Sequence, residues 1–319
     1  MDIQSLDWKK LDILRQSFLN GTAGKSDYWH SREDLYAYDQ TFGRRIAWKW
    51  DFVLEQLKRR NWSLPQGSIL DWGCGSGVAG RSVLEHFGAE TVSKVGFFDR
   101  SRLASDFAVS QTKVEFPAAN VAAFTGNQQA DVLLVSHVIT ELSQARLDEL
   151  LELASKATAV IWVEPGSHEA SRALIEVRRR LIGQFNVVAP CTHQKPCLML
   201  QDENKNHWCH HFAKTPAEVF MSADWMLFGK LEGIDLRSLP LSYLVLDRRP
   251  VEPLPSNTVR IIGKPRAFKG YAMLFACDET GVGDRKLAKK HAPADYKIFK
   301  SQKFDSLYHW SEVKPTSEE

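Results

Sequence analysis

The sequence Ile-Leu-Asp-Trp-Gly-Cys-Gly-Ser-Gly at residues 69–77 decides the fold of this chain. An apolar run ends at Asp71, and three glycines alternate through the turn that follows. Glycine suits a turn where a side chain would block a ligand or where φ is positive. The segment Val78–Phe87 then predicts a helix whose N-terminus lies beside the ligand. A strand, a glycine-rich turn and a helix in this order indicate the nucleotide-binding unit of a Rossmann-like fold.

A second acidic residue, Asp99, supports a nucleoside ligand. It lies 28 residues after Asp71, at the end of another apolar run. A carboxylate there can accept hydrogen bonds from both ribose hydroxyls, while Asp71 can anchor the turn or the amine of a methionine moiety. The strand, the helix and Asp99 together favour a nucleoside ligand over a purely structural turn. The D-x-G-x-G-x-G spacing differs from the G-x-G-x-x-G of dinucleotide sites and favours S-adenosylmethionine (SAM). The predicted cofactor-binding residues are Asp71, Gly73, Gly75, Gly77, Asp99 and His137.

His137 follows the predicted strand Asp131–Ser136, where many amine methyltransferases carry an Asn/Asp-Pro-Pro-aromatic motif that orients the target nitrogen. That motif is absent here. His137 and Glu141 can contact cofactor or substrate, and the simpler interpretation is a helix-start histidine and a solvated glutamate. Methyl transfer can proceed by orientation of donor and acceptor. The catalytic residues therefore stay unknown, and so does catalysis itself.

Short apolar runs alternate with helical patterns from Gln66 onward, as in a parallel sheet covered on both faces. We therefore predict an α/β fold with a Rossmann-like class I SAM methyltransferase sheet at residues 66–250. The candidate strands are Ser68–Asp71, Val92–Asp99, Glu115–Phe124, Asp131–Ser136, Thr158–Glu164, Phe185–Ala189 and Leu241–Asp247. The candidate helices are Val78–Phe87, Leu103–Gln111, Gln144–Lys156 and Glu169–Ile182.

Three further segments accompany the predicted sheet. Helical spacing at residues 1–65 predicts an N-terminal helical cap. An insertion at residues 190–240 is longer than loops of a compact domain usually are, so it should serve a purpose of its own. Residues 251–319 predict a small β-rich module with strands at Thr258–Ile262 and Tyr271–Ala276.

The composition and the apolar runs of the sequence indicate where in the cell the protein is found. Hydrophobic residues make up 44% of the 319 residues, which is enough for a substantial core. No apolar run approaches the roughly 18–20 residues that cross a bilayer, and the N-terminus lacks the pattern of a signal or transit peptide. Five cysteines, an odd number, argue against a secreted disulfide framework. We therefore expect a cytoplasmic protein with no membrane partner.

Four cysteines form a candidate metal site. Cys191, Cys197 and Cys209 lie within nineteen residues of the insertion, and Cys277 follows in the C-terminal module. Four thiolates can hold an iron–sulfur cluster or a zinc ion, but the spacing matches neither zinc ribbons nor ferredoxins. A neighbouring histidine could complete a Cys3His zinc site, and buried apolar cysteines are the remaining alternative. The neighbouring histidines are His193, His207, His210 and His211.

The cysteine region resembles a known family. Val-Val-Ala-Pro-Cys-Thr-His at residues 187–193, Pro-Cys at 196–197 and His-Trp-Cys-His-His-Phe at 207–212 are similar to methyltransferase-like assembly factors of the small ribosomal subunit, known from mitochondria and also found in bacteria. The resemblance covers about residues 35–300. Supporting segments in the same order are Val163–Gly166, Arg178–Arg180 and Ser242–Leu246.

This resemblance implies a [4Fe-4S] cluster and binding to the small ribosomal subunit through its rRNA. The ligands that it implies are Cys191, Cys197, Cys209 and Cys277. Ser76 and Val78 occupy positions of the glycine turn where the family often has proline, but this departure removes no ligand. The resemblance leaves methyltransferase activity open.

The C-terminal module is basic. Residues 260–303 contain eleven lysines and arginines against four acidic residues, so this segment carries +7 in a chain whose net charge is +2. Basic residues interleaved with aromatic ones suit phosphate contacts and base stacking, and we expect RNA contact here. The alternative is an ordinary solvated surface. The aromatic residues are Phe268, Tyr271, Tyr296 and Phe299.

Three functions fit these observations. The leading hypothesis is a SAM-binding iron–sulfur protein that engages small-subunit rRNA and proteins during assembly or translation. The first alternative is an active methyltransferase on a small molecule or free RNA, with a structural zinc site. The second is a non-enzymatic ribosome assembly chaperone whose glycine turn does not bind a cofactor.

Overall fold

The apolar segments after residue 66 form an eight-stranded sheet in the computed structural model, which describes residues 6–19 and 28–310. Its strands are β1 (Ser68–Trp72), β2 (Lys94–Phe98), β3 (Val121–Ala123), β4 (Val132–Ser136), β5 (Ala159–Pro165), β6 (Asn186–Ala189), β7 (His211–Ala213) and β8 (Leu239–Asp247). They pair in the order β3-β2-β1-β4-β5-β8-β6, and β7 pairs with β8. Strands β1 to β5 are parallel to one another, whereas β8 is antiparallel to β5 and β6. This order opens a crevice where β1 and β4 end.

Helices cover both faces of this large sheet. They are α1 (Trp8–Leu19), α2 (Arg32–Tyr38), α3 (Arg44–Arg59), α4 (Val78–Phe87), α5 (Arg102–Glu115), α6 (Gln144–Ala154), α7 (His168–Leu181) and α8 (Ala223–Leu231). Side chains of α3, α4 and α5 share one hydrophobic core, and those of α6 and α7 share the core on the other face. The predicted Rossmann-like α/β fold is therefore confirmed. No helix in the described part of the chain is long and apolar enough to span a membrane.

One predicted strand is largely wrong. Helix α5 continues to Glu115, and only Val121–Ala123 of the predicted strand Glu115–Phe124 is extended. The buried Thr112 continues the inward face of α5. Because the residue before a proline disfavours helical backbone, the helix ends at Phe116, just before Pro117.

A second, four-stranded antiparallel sheet follows the large one. Its strands are β9 (Thr258–Ala267), β10 (Tyr271–Asp278), β11 (Gly281–Ala288) and β12 (Leu307–His309), in the order β11-β10-β9-β12. Helix α9 (Pro293–Lys300) packs on one face, where Val259, Leu274 and Phe299 belong to one buried cluster. The sequence did not predict α9, β11 or β12. Residues 1–5, 20–27 and 311–319 lie outside the described residues, so the outer limits of the predicted terminal regions stay predictions.

Candidate functional site

Asp71 is joined from inside the protein to the start of helix α4, which follows the glycine-rich turn. It lies near the end of β1 and is fully buried, and its Oδ2 accepts a 2.9 Å hydrogen bond from the Gly80 N–H. Burial raises the pKa of Asp71 to about 7, and the Gly80 hydrogen bond opposes that shift. Asp71 therefore contacts the first turn of α4, while its predicted contacts with the glycine turn and with a methionine amine stay predictions.

The three glycines let the turn pass close to its neighbours. Gly73, Gly75 and Gly77 have φ angles of 70°, 50° and 83°. The Gly75 N–H donates to Asp99 Oδ2 at 3.0 Å, which ties the turn to the end of β2. A Cβ atom at Gly77 would lie 2.7 Å from Ala108 Cβ on α5. The turn therefore needs glycine both for its backbone conformation and for its packing.

A cavity of about 570 Å³ opens where β1, β2 and β4 end. The predicted cofactor-binding residues that line it are Gly73, Gly75, Asp99 and His137. Asp71 and Gly77 lie behind the turn and are buried. The volume suits a ligand of nucleoside size. The structure thus brings the predicted residues together, and their ligand contacts stay predicted.

Aromatic residues of the N-terminal region form one wall of this cavity. Tyr28, Trp29 and Tyr38 line it, with ring centroids 4.8 Å apart for Tyr28 and Trp29 and 5.1 Å apart for Trp29 and Tyr38. The guanidinium of Arg100 lies 5.2 Å from the Tyr28 ring centroid. Our sequence reasoning missed this wall, although the aromatic density of residues 28–38 was a usable signal. Such faces suit a flat ring.

His137 lies at the floor of the cavity in a strained conformation. Its φ angle is +56°, unusual for a residue other than glycine, and its N–H donates to the Val163 carbonyl at 2.9 Å. The ring Nε2 lies 3.1 Å from Lys49 Nζ of α3, and Nδ1 lies 3.2 Å from Ser136 Oγ. Ser136 Oγ also accepts from Trp50 Nε1 at 3.0 Å. Helix α3 therefore supplies two of the groups that surround this histidine.

Both members of the Lys49–His137 pair have lowered pKa values. Burial lowers the pKa of Lys49 to about 7, Arg45 adds to the shift and Glu164 opposes it. Burial, followed by the charge of Lys49, lowers the pKa of His137 well below its ordinary value. Near pH 7 one of these nitrogens can therefore accept a proton, and sequence reasoning did not connect Lys49 with this site.

Two carboxyl groups flank the segment that follows β4. Glu164 is fully buried and accepts from Trp162 Nε1 at 2.6 Å and from the N–H groups of Val138 and Ile139 at 3.2 and 3.1 Å. Glu141 lines the cavity and is half-buried rather than freely solvated. Burial raises the pKa of each carboxyl group to about 7. Glu164 therefore fixes the backbone beside His137.

The four predicted metal-binding cysteines converge between the two sheets. Cys191 follows β6, Cys197 and Cys209 lie in the loop between β6 and β7, and Cys277 lies on β10. The last three pack against one small hydrophobic cluster that includes Met199 of that loop. Residues from both sheets therefore meet at the thiols.

The thiols are close enough to influence one another. Burial raises the pKa of Cys209 well above its ordinary value, and Cys191, Cys197 and Cys277 raise it further. The same two effects, burial first and then Cys191, raise the pKa of Cys197 and Cys277. Arg178 opposes the shift at both of these cysteines. Four thiolates without a cation would therefore repel one another at this place.

No three His, Cys, Asp or Glu side chains within residues 6–19 and 28–310 are grouped tightly enough to hold a single metal ion. Cys197, Cys209 and Cys277 nonetheless pack against the same hydrophobic cluster. Two histidines reach individual thiols: His211 Nε2 lies 3.7 Å from Cys209 Sγ, and His193 Nε2 lies 3.6 Å from Cys277 Sγ. These histidines therefore contact candidate ligands rather than forming a separate group.

Helix α7 and strand β8 hold the cysteine loop in place. Ser171 Oγ and Ser242 Oγ both donate to the Cys209 carbonyl at 2.7 Å. Arg178, buried on α7, donates to the Lys195 carbonyl at 2.7 Å. Since these donors belong to the large sheet and its helix, the first three cysteines are fixed relative to that sheet.

Arg260 of β9 joins the second sheet to this loop. It is 2% exposed, and its Nε donates to the Pro190 carbonyl at 2.7 Å, next to Cys191. Its Nη1 donates to Gln56 Oε1 on α3 and to Ser306 Oγ, both at 2.9 Å. Sequence reasoning counted Arg260 among the RNA-contacting cations, and the structure corrects this because its guanidinium is enclosed.

The aromatic residues of the basic module divide into two groups. Tyr296 and Phe299 are buried in the core beneath α9, so the prediction that they stack on bases is wrong. Phe268 is 44% exposed and stacks on Tyr271 with ring centroids 4.7 Å apart and an interplanar angle of 18°. Arg285 is also buried, close to Asp278. The accessible basic and aromatic surface is therefore smaller than the sequence predicts.

These features define the class of protein. The glycine turn after β1, the acid that follows β2 and the antiparallel β8 between β5 and β6 are those of a class I SAM methyltransferase fold. The chain belongs to the Rsm22 family: the family model, described as "Mitochondrial small ribosomal subunit Rsm22", matches residues 43–308. The matched region includes the cavity floor, all four cysteines and the second sheet. No curated protein matches the chain significantly.

Solved structures include similar folds at low identity. The precorrin-6y C5,15-methyltransferase of Geobacter metallireducens is 12% identical, with a TM-score of 0.38, over 63% of this chain and 87% of that chain. The plantazolicin methyltransferase BamL, solved with SAH, is 12% identical, with a TM-score of 0.38, over 74% of this chain and 98% of its own. A Listeria monocytogenes protein, provisionally described as a class I SAM-dependent methyltransferase, is 10% identical, with a TM-score of 0.40, over 80% of this chain and 73% of that chain. At these TM-scores the fold assignment rests on the strand order itself.

Proposed function

We propose that this protein is a cytoplasmic SAM-binding, iron–sulfur protein that engages rRNA of the small ribosomal subunit during assembly or translation. The observation that carries the proposal is the convergence of four cysteines at the junction of a methyltransferase-type sheet and a basic second sheet. The description of the family to which the chain belongs names the small ribosomal subunit, and this supports the subunit as the partner.

The cavity residues fit SAM. The Asp99 carboxylate is the acceptor for the ribose hydroxyls, and the glycine turn leaves room for the methionine portion along Gly73 and Gly75. Tyr28 and Trp29 enclose the ligand from the N-terminal side. Bound SAM supplies an electrophilic methyl group, and the protein's part is to bind and orient it.

The cysteine site fits an iron–sulfur cluster better than a single zinc ion. Zinc with bonds of about 2.3 Å requires four sulfurs roughly 3.8 Å apart, whereas a four-iron cluster gives each thiolate its own iron and takes a wider ring of ligands. Three of the thiols pack against one hydrophobic cluster, and no single-ion group forms among the described residues. Positive charge from Arg178 and Arg260 offsets the charge of the thiolates. Cys191, Cys197, Cys209 and Cys277 would hold the cluster.

Substituting Asp99 tests SAM binding. In Asp99→Asn one acceptor oxygen becomes a donor, so we expect SAM affinity, measured by calorimetric titration, to fall at least about tenfold. The thermal stabilisation that SAM gives the wild type should shrink accordingly. Asp106→Asn on the exposed side of α5, where Asp106 pairs with Arg102, is the matched control and should bind like the wild type. Absence of SAM binding by the wild type would contradict the cofactor proposal.

Methyl transfer is a second candidate function, favoured by the contact between Lys49 and His137 at the cavity floor. Bound SAM would supply its methyl group to a nitrogen or oxygen nucleophile, with the sulfonium sulfur as the leaving group. The proton lost by the nucleophile passes to the neutral Lys49 amine. His137 and Ser136 position that amine through their hydrogen bonds.

Replacement of Lys49 tests this second function. We expect Lys49→Met to lower the transfer of labelled methyl groups from SAM to purified small-subunit particles by about 100-fold, because general bases contribute that much or more. SAM affinity should be unchanged. Lys58→Met, on the exposed side of the same helix, is the control. Equal transfer by the two variants, or no transfer by SAM-bound wild type, would exclude Lys49 as a base.

A further inference from the structure

One face of the second sheet packs against helix α9. The opposite face is covered by the cysteine loop at one end only. Ala272, Leu274 and Ala276 of β10 are buried in the core beneath α9. The alternate residues Tyr271, Met273, Phe275 and Cys277 therefore point to the opposite face. On that face, Phe275 stacks on His207 of the cysteine loop, with centroids 4.4 Å apart. The cysteine loop thus covers the Cys277 end of this face, whereas the Tyr271 end extends beyond it.

The Tyr271 end carries a fixed pair of aromatic rings. Phe268 and Tyr271 stack at 4.7 Å, and the Phe268 N–H donates to the Tyr271 carbonyl at 2.8 Å. The hydroxyl of the buried Tyr296 donates to the Phe268 carbonyl. Ala288 lies opposite Tyr271 on β11, so a small side chain neighbours the ring. The exposed Phe268 ring and the half-buried Tyr271 ring are therefore held in one orientation by the backbone and by the core.

Positive charge surrounds the same rings. Met273 lies between Arg266 of β9 and Lys286 of β11 in the register of the sheet. Lys286 Nζ lies 5.1 Å from the Tyr271 ring centroid. Lys269 stands in the turn that joins β9 to β10. Arg266 is 67% exposed, and its guanidinium lies 3.7 Å from the carboxylate of the exposed Asp284. This face therefore combines stacking surface with accessible cations.

We propose that the exposed face of β9, β10 and β11 at Phe268 and Tyr271 is a platform for unpaired nucleobases of a single-stranded RNA segment. Bases of a duplex are stacked on each other and do not present a free π-face, whereas unpaired bases stack on aromatic side chains. Arginine and lysine contact the adjoining phosphates. This inference rests on the proposed function, because it names the part of the subunit RNA that the basic module takes.

The platform and the cysteine site share one strand face. Tyr271 and Cys277 are six residues apart on β10, about 20 Å at the rise of an extended strand. Because Cys277 belongs to the candidate cluster site, the cluster fixes the strand that carries the platform. RNA affinity should therefore depend on cluster content as well as on the rings themselves.

The test compares variants of the full-length protein, purified anaerobically, in binding to fluorescent RNA. We expect Phe268→Ala with Tyr271→Ala to weaken binding of an unstructured 12-nucleotide RNA about tenfold or more, since each stacked base contributes strongly. Lys286→Gln should weaken it less and lower its salt dependence. Phe220→Ala, at a position just before α8 where the ring is 47% exposed, is the matched control and should bind like the wild type.

The outcomes separate the platform from the proposed function. If the double variant binds the single strand as tightly as Phe220→Ala, or if the wild type prefers a duplex of the same sequence, the platform is wrong. Binding of wild type to small-subunit particles in a sucrose gradient then decides the proposed function independently. Loss of single-strand binding in a double variant with wild-type thermal midpoint and iron content supports the platform, because misfolding and cluster loss are then excluded.

Discussion

Replacing Cys277 by serine is expected to remove the iron–sulfur cluster. Anaerobically purified wild type should be brown and contain about four irons per chain, and the variant should lose both colour and iron. Cys277 is the single candidate ligand contributed by the second sheet, and serine is a poor ligand for such a cluster. Iron and sulfide assays with the visible absorption spectrum make the measurement.

The same change should loosen the junction of the two sheets. Three of the candidate ligands are fixed to the large sheet, so a cluster that includes Cys277 ties β10 to it. Since the free energy of metal binding is also folding free energy, the thermal midpoint of Cys277→Ser should fall well below that of the wild type.

Cys74 provides a matched control for this prediction. It is buried in the glycine turn, and the groups that influence its thiol are Asp99 and Asp71 rather than other cysteines. Cys74→Ser should therefore keep wild-type iron. A colourless wild type with one zinc per chain would contradict the cluster and support the zinc alternative. Unchanged iron content in Cys277→Ser would show that Cys277 is not a ligand.

The fold could be predicted because its signal is local. The residues from Ile69 to Gly77 specify a strand end and a turn through apolar alternation and glycine, and these depend little on distant parts of the chain. The strand predicted at Glu115–Phe124 was largely wrong because the helical pattern of α5 runs on to Glu115, and a short edge strand has too few residues to show its own period.

The candidate site could be predicted only in part, because its remaining contacts are distant in sequence. The four cysteines stand out by residue type alone. Lys49 and His137 are 88 residues apart, and no motif joins them. The charge count of the basic module included Arg260 and Arg285, since sequence reports charge but not burial. Tyr296 is buried for a similar reason. It lies on helix α9, which covers one face of a sheet that the sequence predicted only in part.

Arg260 connects three parts of the molecule that the sequence keeps apart. It lies on β9, and its guanidinium reaches the carbonyl before Cys191 and the side chain of Gln56 on α3. The same helix carries Lys49 and Trp50 to His137 and Ser136, which line the cavity. Helix α3 therefore contacts both the cysteine loop, through Arg260, and the segment after β4.

Replacing Arg260 by methionine should destabilise the protein strongly. Methionine fills much of the volume but leaves the Pro190 carbonyl, Gln56 Oε1 and Ser306 Oγ without their buried donor. Each unsatisfied buried acceptor costs about 1–3 kcal/mol, so we expect the free energy of unfolding to fall by about 3 kcal/mol or more. A fall of that size lowers the thermal midpoint by roughly 5–10 °C, which calorimetry or circular dichroism measures.

Arg266→Met separates this role from that of an RNA-contacting cation. Arg266 lies on the same strand six residues further along, and its side chain is 67% exposed. Its replacement should change stability by no more than about 0.5 kcal/mol while weakening RNA binding and its salt dependence. In the fraction of Arg260→Met that remains folded, the salt dependence of RNA binding should be that of the wild type, because the Arg260 guanidinium does not face solvent. Equal thermal midpoints for the two variants would show that Arg260 does not hold the sheets together, since burial and hydrogen bonding are what distinguish these two arginines.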